Sequence, residues 1–509
     1  MNAGTGKAVK LSSADNVMVA LGNLNPGSVL ENTDCHAREK IPPGHKVAIR
    51  PIYNADPIIK YGQIIGFASK DILPGTHVHT HNTQMLGVTR DHAIGTDLRP
   101  ETILPEKDQA RFKGFIRSDG QVGTRNYVGI LSTVSCSASV ARFIADAITP
   151  EILARYPRVD GILALGHGSG CCSPEGGEGL ELLQRSLAGY ARNPNFGGIV
   201  FVGLGCEVNH LDCLLENTNL EEGSCLKTVN IQTAGGTVKT VRRGVEAVRQ
   251  MLPEVNRIER RPVSAAHIIL GLECGGSDGY SGISANPALG KAADILVQNG
   301  GTVILSETPE IYGAEHLLTR RAVSREVAEK LLARIQWWEK YTEQHQAQIN
   351  NNPSPGNKAG GLTTILEKSL GAVAKGGTTR LVDVYRYAEA VKPGGLVFMD
   401  TPGYDVVSVT GMIAGGANML CFTTGRGSVC GFKPVPTLKL ATHSEMFDRM
   451  RDDMDVNCGL IIDGHATIEA MGETIFNLIL ETASGKKSKS EHLGFGNNEF
   501  VPWHMGAIL

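Results

Sequence analysis

Short, continuous runs of apolar residues recur along the chain from about Gly114 onward, and all but the first close on glycine or an acidic residue. Runs of this kind, buried on both faces, are typical of strands in a parallel sheet. They are YVGILSTV (127–134), GILALG (161–166), GIVFVGLG (198–205), HIILGLE (267–273), TVILSE (302–307), GLVFMD (395–400) and MLCFTTG (419–425). The stretches between them have helical periodicity, as in VSREVAEKLLARIQWWEKYTEQHQ (323–346). The pattern predicts an α/β protein with mostly parallel sheets.

The residues before this region have a different pattern, with short strands and turns and no alternating helices. Residues 1–82 contain short strands such as NVMVAL, HKVAI and IIGFA between Gly, Pro and Asn-Asp turns, which predicts a small all-β module. Residues 83–111 are polar and without periodicity, so we interpret them as a linker that lets the first module be placed independently. A helix and a polar run near residues 232–262 divide the rest into a middle α/β domain (112–262) and a C-terminal α/β domain (263–509).

Composition narrows the classes of partner. The chain of 509 residues has a net charge of −3, which gives no electrostatic reason to expect nucleic acid or a membrane surface. Met1–Ser12 has no apolar core of a signal peptide, so we expect a cytoplasmic protein. The 11 cysteines are then expected to be reduced, and their irregular spacing fits no disulfide framework.

Four cysteines stand at the carboxyl ends of predicted strands, which is where open parallel sheets bind ligands. A cysteine there can simply be a small buried hydrophobe, but four in equivalent places favour a site for a soft or borderline metal such as iron. Glu207, Asn209 and Asp278 lie close to them in the sequence. The predicted metal ligands are Cys136, His167, Cys171, Cys206 and Cys274, gathered at one rim of the sheet.

Several loops carry groups that suit a carboxylate substrate or acid–base chemistry. In ECGGSDG (273–279), Asp278 is a candidate general base, although Ser277 or Asp278 is equally an ordinary helix cap. No loop matches the phosphate-binding pattern GxxxxGK[ST], so nucleotide binding is poorly supported. The candidate substrate-binding residues are Arg125 and Asn126 of GTRN, Ser277, Asn357 and Lys358 of PSPGNKAGG, and Thr424 and Arg426 of FTTGRGS.

Histidines of the first module are further candidates for catalysis or metal binding. GHK (44–46) places His45 and Lys46 as candidate catalytic groups. Alternation along HVHTHN would put His77, His79 and His81 on one face of a strand, as a metal site or as part of a mobile lid. Exposed histidines on an edge strand are the plain alternative.

These motifs together resemble one family over nearly the whole chain, from about Asn16 to Gly485. GHKVAI, IIKYGQIIGFA, DGQVGTRN, GLGCE, CGGSDGYSGISANPALG, PSPGNKAGG and FTTGRG occur in this order and are similar to the altronate/galactarate dehydratase family of sugar-acid hydro-lyases. HVHTHN and PEIYGAEHLL are similar to the altronate branch. The resemblance implies an N-terminal SAF-type β-clip domain, a middle domain that dimerises, and a Rossmann-like C-terminal domain.

The resemblance also implies a reaction, the dehydration of an aldonate to a 2-keto-3-deoxy acid with ferrous iron under reducing conditions. D-altronate is the first expected substrate, and galactarate or another sugar acid is the alternative. In a chemically reasonable mechanism, a base removes the C2 proton, the C3 hydroxyl departs, and a metal stabilises the enolate. An iron–sulfur cluster is the alternative to a single ion. Two other classes stay open, a non-catalytic SAF-containing binding protein and a nicotinamide oxidoreductase, and the expected assembly is a homodimer.

Overall fold

The computed structural model describes residues 5–88, 90–172 and 174–506. Within them, none of the helices combines the length and the apolar character needed to cross a membrane.

The first module is built from short strands, as predicted. A four-stranded antiparallel sheet (order β2-β3-β5-β8) and a three-stranded one (β6-β7-β9) pack with the parallel pair β1-β4. The hairpin between β6 and β7 turns at Tyr61 and Gly62, whose φ angles of 61° and 69° are those of a type I′ turn. The strands are β1 (Thr5–Gly6), β2 (Ala8–Val9), β3 (Val17–Ala20), β4 (Val29–Leu30), β5 (Lys46–Ala48), β6 (Pro57–Lys60), β7 (Gln63–Ala68), β8 (His77–Val78) and β9 (Thr83–Gln84).

The segment after this module, residues 83–111, was predicted to be a linker, but it is bound to the C-terminal domain. Its backbone is hydrogen-bonded along the C-terminal domain, from Gly95 N to Thr319 O (3.1 Å), from Asp97 N to Arg320 O (2.8 Å) and from Leu104 N to Gln298 O (2.8 Å). The expectation that the first module is placed independently is therefore wrong, because its connection is fixed to the domain it was expected to move against.

The middle domain has a four-stranded parallel sheet in the order β13-β12-β14-β15. Helices α1 and α6 cover one face, while α3 and α4 cover the other. A separate antiparallel sheet, β11-β10-β16, joins this domain to the next. The strands are β10 (Arg111–Ile116), β11 (Val122–Gly123), β12 (Tyr127–Ser132), β13 (Gly161–Leu165), β14 (Phe196–Gly203), β15 (Leu226–Asn230) and β16 (Arg260–Ser264), and the helices are α1 (Ala138–Asp146), α2 (Pro150–Leu153), α3 (Glu178–Arg192), α4 (Leu211–Thr218), α5 (Ile231–Ala234) and α6 (Thr237–Arg257).

The C-terminal domain has a seven-stranded parallel sheet in the order β19-β20-β18-β17-β21-β22-β23. The strands are β17 (Ile269–Cys274), β18 (Thr302–Leu305), β19 (Leu381–Tyr385), β20 (Gly395–Met399), β21 (Met419–Thr424), β22 (Thr437–Ala441) and β23 (Val456–Asn457). The helices are α7 (Ala285–Gln298), α8 (His316–Thr319), α9 (Arg325–Gln344), α10 (Pro355–Ala359), α11 (Ile365–Val373), α12 (Asp405–Ala414), α13 (Ser444–Arg449), α14 (Gly459–Ile462), α15 (Ile468–Ala483) and α16 (Lys489–Leu493).

The topology of this sheet marks the position of a site. On one side of β17 lie β18, β20 and β19, in that spatial order, and on the other side lie β21, β22 and β23. The strand order therefore reverses between β17 and β21, and ligands bind in the crevice at the carboxyl ends of such a pair. The predicted fold class, an all-β SAF-type module followed by mostly parallel α/β domains, is confirmed.

Arg125 holds the middle and C-terminal domains together, and Asn126 is fixed within the middle domain. The five N–H donors of Arg125 are all used, on both carboxylate oxygens of Glu491 (2.6 and 2.8 Å) and on the carbonyls of Thr124, Thr482 and Lys486. Asn126 donates to the carbonyls of Arg158 and Val255 and accepts from Arg117. The expectation that these two residues bind substrate is corrected, because no donor remains free for a ligand.

Loss of the Arg125 guanidinium should destabilise the protein strongly. Arg125→Gln leaves the carboxylate of Glu491, only 9% exposed, without its partner. Breaking a buried ion pair in this way costs about 3–5 kcal/mol in the free energy of unfolding. The matched control is Arg158→Gln, because Arg158 pairs with Glu259 on the surface, where such pairs contribute ~1 kcal/mol or less. Urea denaturation measures both, and equal losses would contradict the role given to Arg125.

Candidate active site beneath the N-terminal module

Three loops meet at the carboxyl ends of β17, β21 and β22. Gly425 N and Arg426 N both donate to the carbonyl of Gly276 (3.1 and 2.8 Å), so the loop after β21 lies directly against the loop after β17. Gly276 has a φ of +63°, which L side chains rarely adopt. The crevice expected at the switch point is thus lined by tightly packed backbone.

Asp278 is the carboxylate at the centre of this junction. Its Oδ1 accepts from Ser281 Oγ (3.0 Å) and Tyr280 N (3.1 Å), and its Oδ2 accepts from Thr442 Oγ1 (3.0 Å). Burial raises the pKa of Asp278, and a positive charge on His443 would oppose that shift. A Cβ at position 425 would stand 2.1 Å from Asp278 Cγ, so only glycine fits beside this carboxyl group.

His443 faces Asp278 and was not singled out from the sequence. Its Nδ1 accepts the N–H of Met446 (3.3 Å) as the cap of α13, which leaves the proton on Nε2. Nε2 lies 3.2 Å from the carbonyl of Gly425 and 3.7 Å from Asp278 Oδ2. The cap therefore holds the imidazole with its Nε2–H directed at the junction.

The N-terminal module forms the roof of the site. Tyr280 Oη donates to the carbonyl of Ala20 (2.9 Å). A Cβ on Gly279 would be 1.9 Å from the carbonyl oxygen of Gly44, and one on Gly361 would be 2.4 Å from the same atom. The roof and the floor of the site thus meet backbone to backbone.

A buried carboxylate fixes the roof in place. Glu367, at the start of α11, accepts from Lys46 Nζ (2.8 Å) and Lys60 Nζ (2.9 Å), and all three side chains are 0–1% exposed. Burial alone would raise the pKa of Glu367, but the two ammonium groups outweigh it and lower the pKa to about 2. Lys46 also donates to the carbonyl of Gly361 (2.6 Å). The predicted catalytic role of Lys46 is corrected, because its ammonium group is occupied by these bonds and positions the roof.

Three histidines gather on the lower face of the roof. His45 Nδ1 lies 3.0 Å from His77 Nε2, and His45 Nε2 lies 3.2 Å from the carbonyl of Ala359. One ligand atom from each of His45, His77 and His79 lies within 4.8 Å of the other two. Burial, followed by neighbouring positive charge, lowers the pKa of His77 to about 3 and that of His79 to about 4. Neutral imidazoles this close together suit a borderline divalent metal.

The strand pattern expected for these histidines holds only in part. β8 ends at Val78, and residues 79–82 form a turn in which Asn82 accepts from His79 N (2.9 Å) and donates to the His77 carbonyl (2.8 Å). His77, His79 and His81 therefore do not alternate along one strand. His81 is exposed, and its ring centroid lies 5.5 Å from that of His77.

Cys274 lies in a buried ionic network behind the β17 loop. Its Sγ is 3.4 Å from Glu307 Oε2 and 3.4 Å from Glu310 Oε2, and these carboxylates pair with Lys375 (2.6 Å) and Lys368 (2.5 Å). Burial raises the pKa of Cys274 well above its usual range, and the Glu307 charge adds to this. Ligand atoms of Cys274, Glu307 and Glu310 all lie within 4.8 Å of one another, a spacing that could hold a metal ion, so the role of Cys274 as a metal ligand stays a prediction.

The other predicted metal ligands lie on a different sheet. Cys136, Cys171 and Cys206 follow β12, β13 and β14 of the middle domain, whereas Cys274 ends β17 of the C-terminal domain. The expectation of one shared rim is therefore wrong. His167 lies 3.0 Å through Nε2 from the carbonyl of Ser132 and 3.2 Å through Nδ1 from Ser169 Oγ, so its role as a ligand is corrected as well.

The remaining predicted substrate contacts divide into structural and available groups. Asn357 caps α10 through Ser354 and donates to the carbonyl of Ser277 (2.9 Å), and Thr424 Oγ1 accepts from Gly427 N (3.0 Å). Ser277 is buried beside Asp278. Arg426 is exposed and Lys358 half-exposed, and neither side chain has a hydrogen-bond or ion-pair partner within the part of the chain that the structure describes. These two cations remain available for a carboxylate.

A much larger cleft, of about 1200 Å³, lies elsewhere. It is lined by residues of α3 and by the starts of β17 and β21, including His267, Ile269 and Asn418. This is the amino end of the sheet, opposite Asp278 and His443. The junction of Asp278 and His443 lies at the carboxyl end, where open parallel sheets bind ligands.

Comparison with known proteins agrees with this arrangement of domains. Residues 6–86 match the family model of the altronate/galactarate dehydratase SAF domain, residues 114–256 that of the second domain of D-galactarate dehydratase/altronate hydrolase, and residues 265–508 that of the C-terminal region of D-galactarate/altronate dehydratase. The chain belongs to the altronate/galactarate dehydratase family. The resemblance seen in its motifs is confirmed.

Named members of the family match over almost their full length. An altronate dehydratase of Bacillus subtilis is 34% identical over 98% of this chain and 99% of its own. A galactarate dehydratase (L-threo-forming) of Escherichia coli is 35% identical over 96% and 95%. An altronate dehydratase of Escherichia coli is 36% identical over 98% and 99%.

In this member of the altronate/galactarate dehydratase family, Glu367 should control how the protein responds to acid. The folded-state pKa of about 2 lies below the ordinary value of 4.5, so the stabilisation is fully present above about pH 4.5 and is lost as the pH falls toward 2. Glu367→Gln should lower the free energy of unfolding by about 3–5 kcal/mol at pH 7, because it leaves two buried lysines unpaired. Unfolding at pH 3–7 measures this, and the difference between wild type and variant should shrink below pH 4.5.

The control is Glu343→Gln, which removes an exposed carboxylate from α9. It should change stability by less than about 0.5 kcal/mol at every pH. A difference between wild type and Glu367→Gln that does not depend on pH would contradict the ionised state assigned to Glu367.

Proposed function

We propose that the chain is a sugar-acid dehydratase that removes water from an aldonate, with D-altronate as the first candidate, at the junction of Asp278 and His443. The observation that carries this proposal is the convergence of a buried carboxylate and an oriented imidazole at the switch point of the sheet. The motifs HVHTHN and PEIYGAEHLL, similar to the altronate branch, support the choice of D-altronate. The related altronate and galactarate dehydratases support the class of reaction.

The reaction requires a base at C2 and an acid at C3. In an aldonate, removal of the C2 proton and departure of the C3 hydroxyl give an enol, which tautomerises to the 2-keto-3-deoxy acid. Asp278 is the proton acceptor, because burial raises its pKa and so strengthens it as a base. The N–H on His443 Nε2 is the donor that assists the departing hydroxyl.

The substrate carboxylate needs a cation that is not already paired. Lys46, Lys60, Lys368 and Lys375 are each bound to a glutamate. Arg426 is exposed beside the Gly276 turn, and a guanidinium can bind a carboxylate through two parallel hydrogen bonds. We therefore assign the substrate carboxylate to Arg426, with Lys358 as the second available cation.

The ferrous ion implied by the family suits His45, His77 and His79. The Ala359 carbonyl accepts the His45 Nε2 proton and so leaves the Nδ1 lone pair for a ligand, as is usual for metal-binding histidines. His79 Nδ1 is buried and has no hydrogen-bond partner among the described residues. Bound there, a divalent ion would supply Lewis acidity that stabilises negative charge on the enolate.

Anaerobic assay of a panel of sugar acids with ferrous iron tests the activity. We expect 2-keto-3-deoxy acid from D-altronate, and no thermal shift or absorbance change with NAD. Turnover of galactarate but not of D-altronate would move the assignment to an aldarate. The absence of turnover with every aldonate and aldarate would contradict the dehydratase proposal and favour a binding protein.

Substitution of Asp278 and His443 tests the two catalytic roles. Asp278→Asn keeps an acceptor for Ser281 and removes the base, so kcat should fall by about 10²–10⁴-fold. His443→Asn keeps a side chain that caps α13 and removes the Nε2–H, so kcat should fall with little loss of stability. The exposed Asp448→Asn is the control. A kcat within a few-fold of wild type in both site variants would exclude this junction as the catalytic centre.

Substitution of the histidines tests the metal site separately from turnover. His77→Ala and His79→Ala should each weaken ferrous binding, measured by anaerobic titration. Loss of a residue that only hydrogen-bonds to a metal ligand lowers affinity ~10–100-fold, and loss of a ligand itself should lower it further. His36→Ala, which removes an exposed histidine of the same module, should leave binding unchanged. Unchanged affinity in both site variants would contradict the assignment.

A further inference from the structure

The rim of the middle-domain sheet carries cysteines from three neighbouring strands. β13, β12 and β14 are adjacent in the sheet, and Cys171, Cys136 and Cys206 lie in the loops that follow them. All three are free and exposed. Cysteines kept only for packing are among the most buried residues, so exposure of three at one sheet end needs another explanation.

The three loops are bound to one another by their backbones. Ser135 N donates to the carbonyl of Ser169 (3.1 Å), which joins the β12 and β13 loops beside Cys136. Val208 N donates to the carbonyl of Cys171 (3.2 Å), and Asn209 N to that of Gly170 (3.1 Å), which joins the β13 and β14 loops. The positions of the three cysteines are therefore fixed relative to one another before any ligand binds.

Side chains beneath the rim strengthen this arrangement. Asn209 Nδ2 donates to the carbonyl of Thr133 (2.8 Å). The buried Glu207 accepts from Thr133 Oγ1 (2.7 Å), Leu204 N (2.9 Å) and Gly205 N (2.6 Å), so its carboxylate turns into the protein. The acid next to Cys206 is thus structural, and the thiols are the ligand groups that the rim presents.

The spacing of the thiols indicates what they would hold. Among the described residues, the sets of side chains whose ligand atoms all lie within 4.8 Å of one another do not include these three cysteines. A single ion needs its ligands closer than that, whereas a cluster divides its thiolates among several irons.

We propose that Cys136, Cys171 and Cys206 hold an iron–sulfur cluster at the carboxyl end of the middle-domain sheet. Cysteine thiolates are the usual ligands of such clusters. In a four-iron cluster, the three cysteine thiolates would bind three of the irons. The fourth iron would then be open to water or to an oxygen ligand. This centre is additional to the His45, His77 and His79 site, and lies on a different sheet from Asp278.

Anaerobic purification of the full-length protein tests the cluster directly. We expect about four acid-labile sulfide ions per chain and about four iron ions beyond any iron held at His45, His77 and His79, with broad visible absorption and an EPR signal after reduction by dithionite. Cys136→Ser, Cys171→Ser and Cys206→Ser should each lose most of the sulfide and the visible absorption. Cys225→Ser is the matched control, because Cys225 is an exposed thiol immediately before β15, at the amino end of the same sheet.

The outcomes separate this centre from the proposed active site. His77→Ala should keep the sulfide and the visible spectrum even where it reduces turnover. Wild-type protein without labile sulfide, or with zinc in its place, would overturn the proposal, as would single serine variants that retain the wild-type spectrum. Loss of the spectrum in Cys225→Ser would show that the signal does not belong to this rim.

Discussion

The arrangement of the site depends on one buried carboxylate. Glu367 binds Lys46 and Lys60 from two different strands of the N-terminal module, with all three side chains removed from water. A buried carboxylate with a single partner is costly, and it becomes favourable only when further hydrogen bonds satisfy it. Thr363 supplies these through its backbone N–H (3.0 Å) and its hydroxyl (2.8 Å). The module is therefore attached to the catalytic domain at a point where displacement would expose three charges.

This attachment brings two sets of groups to the same junction. Without the module, the crevice between β17 and β21 has the carboxylate of Asp278, the imidazole of His443 and the available guanidinium of Arg426. With it, three neutral imidazoles lie above the loop that contains Ala359, and Tyr280 is bound to the roof through Ala20. The close backbone approaches at Gly44, Gly279 and Gly361 leave no room for side chains between the layers. Glycine at these positions is thus required by the proximity of the two domains.

The sequence predicted the strands well where they are apolar throughout, as in β12, β17 and β20. It did not reveal β22 (TLKLA), because Lys439 interrupts the run; in the structure this lysine is buried and donates to the carbonyls of Val429 and Cys430. The rule that functional groups follow the carboxyl ends of parallel strands singled out Asp278 and Arg426, whose loops meet in the structure. Applied to β22, the same rule points to His443. Glu367 could not have been found in this way, because LTTILEKSLG has the pattern of an ordinary helix and its partners lie more than 300 residues away.

The errors have one physical origin, since motif chemistry does not say which domain a side chain faces. Arg125 has the chemistry of a carboxylate binder, but its partner is Glu491 in the same chain. Cys274 follows the same strand-end pattern as Cys136, Cys171 and Cys206, yet it belongs to another sheet. The most direct test of the account is an anaerobic crystal structure with ferrous iron and D-altronate. We predict the sugar-acid carboxylate on Arg426, C2 beside Asp278, and anomalous density for iron among His45, His77 and His79. A sugar acid bound in the cleft at the amino end of the sheet, with Asp278 and His443 remote from it, would contradict the account.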